Sequence, residues 1–150
     1  MNLKRDKRDI VFSEYIRERA NWKCERCGTP YPSERRQGLH CSHFYGRRHR
    51  GTRWEPNNAF AHCYGCHRYF TANPQVFSEW VRNKLGMQRF NILAMKARTI
   101  TKYTNADLEF IYQQIKGDLH QLKSDRLVGG SNHGNSVSRS VVVRRSRSPG

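Results

Sequence analysis

The chain contains two Cys-x-x-Cys pairs, Cys24-Glu25-Arg26-Cys27 and Cys63-Tyr64-Gly65-Cys66, with His43 and Asn58 between them and His67 directly after the second. Thiolates two residues apart clamp one metal ion from a tight turn. Two such turns supply the four soft ligands of a closed tetrahedral zinc site, so Cys24, Cys27, Cys63 and Cys66 are expected to hold a structural Zn2+. Disulfides or buried free cysteines are the competing use of such pairs. Nothing in the sequence marks it as secreted, and an odd count of five cysteines agrees with a reducing compartment. The fifth, Cys41, reads as a small buried hydrophobe, with a spare ligand as the alternative.

Thirty-five residues separate Cys27 from Cys63, more than the roughly fifteen to twenty of the simple four-cysteine pattern. The insertion is therefore expected to carry structure of its own. It holds His40, His43, His49 and His62, and between Arg35 and Arg53 it has six arginines and no acid. Its field is strongly positive even with neutral imidazoles. The loop at 46–53 contributes Arg47, Arg48, Arg50 and Arg53. Guanidinium forks fit phosphate oxygens and carry no base readout unless inserted in a groove, so these four are expected to bind a nucleic-acid backbone. Phe44, Tyr45, Trp54, Tyr69 and Phe70 are available for base stacking, although a domain this small needs most of its aromatics for the core.

The whole chain points the same way. Its 150 residues carry 28 Lys and Arg against 12 Asp and Glu, a formal charge of +16, which implies a polyanionic partner, with nucleic acid the default. A membrane surface is the competing polyanion. There is no long apolar run, and the opening Met-Asn-Leu-Lys-Arg-Asp-Lys-Arg does not read as a signal peptide, so a cytoplasmic protein with no membrane partner is expected. A hydrophobic fraction of 36% permits only a modest core, which makes a metal staple matter.

The elements that must position these residues follow from periodicity and breakers. Ile10, Val11, Tyr15 and Ile16 predict a helix over 9–22 leading into the first Cys pair. Short mixed runs at 39–45 and 54–61 predict a β-hairpin, and 63–70 a short helix from the second pair. Asn73 as N-cap and Pro74 as first helical residue open a helix with a stripe of Phe77, Trp80, Val81 and Leu85, closed by Gly86, after which another begins. Thr104 and Asp107 form a capping box for a long helix with Leu108, Ile111, Ile115, Leu119 and Leu122 on one face. Intramolecular packing and a homodimer contact are both open to that stripe. The reading is an α+β domain over 1–127, with a zinc-stapled core at about 22–73 and a helical part at about 74–127. A flexible basic Gly/Ser/Arg tail, 128–150, follows it.

A strand His (His43), then Asn58 five positions before Cys63-Tyr64-Gly65-Cys66-His67, within a strand, loop, strand and helix, resembles the HNH, or ββα-metal, endonucleases. Cys27-Gly28, His43-Phe44, Arg53-Trp54-Glu55-Pro56-Asn57-Asn58, Asn73 and the terminal amphipathic helix are similar to the NinG, or Rap, recombination proteins of lambdoid phages. The resemblance implies a small zinc-stapled ββα-metal core with flanking helices. It also implies a DNA endonuclease acting in recombination on branched DNA such as a Holliday junction or D-loop. In this reading His43 is the general base and His67 ligates a catalytic Mg2+, Mn2+ or other divalent cation. Asn58 orients His43 or completes the loop. Many HNH sites have an Asp before the base; here that residue is Ser42, so either His40, His62, Asn57 or water completes the ligand set or metal affinity is low. A non-catalytic zinc-finger DNA-binding module, or an RNA-binding or RNA-processing protein, is the alternative.

Overall fold

In the computed structural model, residues 3–33 and 37–129 are described. They form an α+β fold of five helices and one two-stranded antiparallel sheet. The first helix, α1, spans Lys7–Arg19. It starts upstream of its apolar positions because Asp6 caps it. The Asp6 carboxylate accepts from the Arg8 and Asp9 amides, and the Asp9 carboxylate returns a bond to the Asp6 amide at 2.8 Å. Periodicity marks only the buried stripe, and here it also missed Phe12, which with Ile16 is fully buried, while Ile10 is exposed. The helix ends short of 22 because Asn21 and Trp22 turn into the left-handed region, with φ of 52° and 55°. Trp22 is held there by burial and by its indole N–H, which donates to Glu18 at 2.8 Å. This conformation, costly for a bulky residue, aims the chain into the first Cys pair.

The expected hairpin is present, with β1 at Leu39–His43 and β2 at Ala59–Cys63. Leu39 pairs with Cys63 and His43 with Ala59. β2 starts later than the 54–61 run suggests, because Pro56 opens a 3-10 turn over Pro56–Asn58. Helix α2, Tyr64–Ala72, follows β2 without a loop. Asn73 then departs from its expected role: its side chain makes no cap bond to the next helix and instead donates to the Tyr69 carbonyl at 2.8 Å, closing α2. Helix α3, Pro74–Leu85, and α4, Met87–Arg98, are separated by Gly86, whose φ of 80° only glycine adopts readily. Helix α5, Asn105–Val128, has the expected Thr104–Asp107 capping box.

Two apolar nuclei hold the elements together. In the first, Ile111 and Ile115 of α5 join Phe12, Ile16, Trp22, Leu39 and Trp54, so the α5 stripe is used intramolecularly against α1. In the second, Phe60 of β2, Phe70 of α2 and Phe77 and Trp80 of α3 pack ring on ring, with Phe70 and Phe77 stacked at 4.6 Å. No helix among the described residues is long and apolar enough to cross a membrane. The expected basic tail lies, from residue 130 onward, outside the described residues.

Candidate functional site

The two Cys pairs meet because β2 carries one and receives the other. Glu25 clips the first turn to the strand twice: its amide donates to the Ala61 carbonyl at 2.8 Å, and its carboxylate accepts from the Ala61 amide at 2.8 Å. Gly28, at φ 77°, completes that turn, with its amide on the Cys24 carbonyl at 2.8 Å. Cys63 ends β2 and is also the N-cap of α2, its sulfur accepting from the Cys66 amide. The four sulfur atoms lie within 4.8 Å of one another, and those of Cys27 and Cys63 are 3.8 Å apart. A tetrahedron with Zn–S bonds of about 2.3 Å has edges of about 3.8 Å, so the cluster fits zinc. Hydrogen bonding from Thr29 holds the Cys27 thiol down to about 6, whereas burial pushes the Cys66 thiol up to about 12. Ionising Cys66 therefore calls for a nearby positive charge, which a bound cation supplies, assisted by Arg26, whose guanidinium donates to the Cys66 sulfur at 3.4 Å. Cys41 lies outside the cluster, its thiol pushed up to about 12 by burial.

A second constellation forms at β1. Strand alternation sends Ser42 toward α2 and His43 toward α1, where its ring lies 5.8 Å from that of Phe12. The Ser42 hydroxyl meets His67 Nδ1 at 2.6 Å, and the His40 ring stacks on His67 at 5.3 Å. His43 Nε2 lies 3.0 Å from the Arg53 carbonyl. A carbonyl can only accept, so Nε2 carries the proton and Nδ1 keeps its lone pair. The loop that delivers this carbonyl is clasped by Asn58, fully buried. Its side chain accepts from the Tyr45 amide at 2.8 Å and donates to the carbonyls of Tyr45 and Thr52, both at 2.9 Å. Asn58 thus shapes the loop and makes no hydrogen bond to His43. Gly51 is obligatory in the same loop, because a Cβ there would fall 2.7 Å from the Lys96 carbonyl of α4.

A cavity of about 560 Å3 is lined by His40, His43 and His67 together with Arg5, Arg17 and Arg47. Burial lowers His43 below the ordinary imidazole value, more than its contact with the Arg53 carbonyl and the Asp9 charge raise it. Burial lowers His40 and His67 as well, aided by Arg17 for the first and by His40 for the second. All three rings are thus held toward the neutral form, able to accept a proton or a metal. One carboxylate, Asp9, also lines the cavity. Burial pushes it up, but hydrogen bonds from Arg53 and the Asp6 amide, with the Arg53 charge, outweigh that and hold it below the usual range. Its charge is answered by Arg53, with Arg47 3.8 Å from it as well.

Several sequence expectations need correction here. Arg53 does not face a backbone-binding surface: it is buried, with its guanidinium on both Asp9 oxygens and on the Lys4 carbonyl. Arg47 is half-buried, 3.8 Å from Asp9, on the cavity wall. Only Arg48 and Arg50 of the four are exposed. His62, an alternative metal ligand in the sequence, is fully buried among rings, 5.0 Å from Trp80 and 5.1 Å from Phe70, with neither ring nitrogen hydrogen-bonded. Burial above all pushes it down to about 4, and it fills space in the second nucleus. Trp54 and Phe70 are buried, and Phe44 packs on Phe77 and Phe90, which removes them as stacking candidates.

Sequence reasoning missed Arg5, Asp9 and Arg17. Their role depends on α1 crossing the hairpin, and no spacing in the chain encodes that. The Asp9–Arg53 pair is expected to be a strong structural tie. Asp9→Ala leaves a buried guanidinium without its partner and should lower unfolding free energy by roughly 3–5 kcal/mol in urea titrations. Arg48→Ala in the exposed loop should stay within about 0.5 kcal/mol. No family model, curated protein or solved structure matches this chain.

Proposed function

We propose that this protein is a metal-dependent endonuclease of the HNH type that hydrolyses DNA phosphodiester bonds. The observation that carries the reading is one cavity lined by three imidazoles held toward the neutral form, three arginines and a carboxylate already paired with Arg53. Such a lining binds an anion and offers it a proton acceptor, which is what a phosphodiester and an attacking water require. The zinc cluster fixes β2 and the start of α2, so His67 sits on a rigid support.

In this reading His43 is the general base. Its Nε2 proton is committed to the Arg53 carbonyl, and Nδ1 takes the proton from water. Arg5 and Arg47 stabilise charge gathering on the phosphate oxygens. Arg17, whose Nε donates to the Leu39 carbonyl at 2.8 Å, lines the same wall from a fixed position. His67 is suited to hold a divalent ion at Nε2, because Ser42 orients the ring through Nδ1. Asp9 is occupied, so the donor set is one or two imidazoles with phosphate and water oxygens completing it. That set suits an ion with imidazole affinity, such as Zn2+ or Ni2+, better than Mg2+. A bound ion there would supply positive charge to the phosphate and the leaving oxygen.

The test is nicking of supercoiled plasmid by zinc-loaded protein across added Mg2+, Mn2+ and Ni2+. Conversion to open-circular DNA only with an added ion supports the proposal; tight binding with no cleavage under any ion replaces it with a non-catalytic binding module. Arg48 and Arg50 are proposed to contact phosphates beyond the cavity. Arg48→Ala and Arg50→Ala should each flatten the plot of log affinity against log salt by about one contact, on every DNA tested. Unchanged slopes would move the binding surface elsewhere.

A further inference from the structure

We propose that Tyr64 is a stacking platform for one unpaired base of the DNA whose phosphate enters the cavity, and so selects substrates with an unpaired nucleotide beside the cleavage position. The inference rests on the reading of the cavity as a phosphodiester site. Tyr64 is 58% exposed although it lies inside the second Cys pair, as the first residue of α2. Its backbone is therefore set by the zinc turn. Its phenol oxygen accepts from Arg68 at 3.3 Å, with that guanidinium 5.6 Å from the ring centre. Its ring lies 6.0 Å from His40, which in turn stacks on His67. Three rings thus run from the cavity wall to the surface, and the last one is open.

A scattered exposed aromatic needs no explanation. This one differs in position, rigidity and charge. It is the outer end of a row that begins at the proposed reaction centre, and α2 carries no acidic residue, with Arg68 over the ring at 5.6 Å, farther out than the cation on Tyr69. The other exposed ring of α2, Tyr69, is covered by Arg26 at 4.2 Å. An unpaired base has a free π-face that an aromatic side chain can take, whereas a base inside a duplex has both faces occupied by its neighbours. The Arg68 guanidinium, 5.6 Å from the ring centre, then meets an adjoining phosphate.

The experiment uses the zinc-loaded full chain without added divalent ion, and a short DNA oligonucleotide carrying 2-aminopurine, either single-stranded or fully paired. The fluorescence of the probe and the dissociation constant are read together. The wild type is expected to quench the single-stranded probe. Tyr64→Ala and Tyr64→Leu should abolish the quench and weaken single-strand binding by roughly 5- to 100-fold. Tyr64→Trp should retain both, and affinity for the duplex should be unchanged in all three. Wild-type binding of the single strand by Tyr64→Ala, or an equal loss for single strand and duplex, overturns the proposal. No cleavage is needed for this readout. A failure of the nuclease reading would show instead as uncut plasmid, with the Tyr64 signal intact.

Discussion

Stripping zinc with a chelator, or replacing Cys63 by serine, is expected to unfold the half of the domain that carries the cavity. Structural zinc contributes on the order of 10 to 16 kcal/mol in small finger peptides at neutral pH, as much as the whole stability of an ordinary domain. Here the dependence is built into the connectivity. Cys63 is both the last residue of β2 and the N-cap of α2, and the turn bearing Cys24 and Cys27 is clipped to β2 through Glu25. Without the metal, the buried Cys66 thiol reprotonates, and the two turns are left with the Glu25–Ala61 hydrogen bonds and the Arg26–Cys66 contact alone to hold them. Circular dichroism melts should lose the cooperative transition on chelation, and metal analysis should find one zinc per chain lost with it. Cys41→Ser, outside the cluster, should keep its zinc. A chelated protein that melts as before would remove the staple from the account.

His43→Ala is expected to slow DNA cleavage by about 10²- to 10⁴-fold, the usual contribution of a positioned general base, while DNA affinity changes little. The pH profile adds an independent sign. A base works in its deprotonated form, and burial holds His43 below the ordinary imidazole value. The acid limb of the rate should therefore fall below that of a free imidazole, with activity rising as pH increases through it and then levelling. An acid limb at or above the free-imidazole range would mean that another group titrates in the rate. Asn58 should behave differently from His43, since it clasps the loop rather than touching the ring. Asn58→Ala should lower stability and rate together, because two backbone carbonyls and an amide lose their partner.

The parts of this molecule legible in its sequence are those encoded by local spacing. Two Cys-x-x-Cys turns converge on one point, Thr104 and Asp107 cap α5, Pro74 and Gly86 bracket α3, and the hairpin between the cysteines forms with His43 ending β1 and Asn58 just before β2. What could not be read depends on partners far along the chain. Arg53 looks like its neighbours Arg47, Arg48 and Arg50 in sequence, yet it alone is buried on a carboxylate 44 residues away. His62 looks like His40, and their strand positions are paired, but α3 covers one with Trp80 while the other lies against the cavity. Asp9 reads as a helix-start acid and is one, through its bond to the Asp6 amide. It is also the anchor of the loop that holds His43.

That anchoring runs from Asp9 to the Arg53 side chain and from the Arg53 carbonyl to His43, so the N-terminal helix belongs to the proposed site. The four-cysteine cluster, which fits zinc, adjoins His67 from the other side. A cavity supported in this way can hold proton acceptor and arginines in register before any substrate arrives, which is the preorganisation that phosphodiester hydrolysis needs.

The most direct measurement is cleavage of end-labelled single-stranded, duplex and four-way-junction DNA by zinc-loaded wild type and His43→Ala, side by side, with and without an added divalent ion. Ion-dependent cuts by the wild type are expected, lost in the variant while both bind DNA equally. Cleavage that survives His43→Ala undiminished, or tight binding by the wild type with no cut in any substrate, would contradict the proposed mechanism.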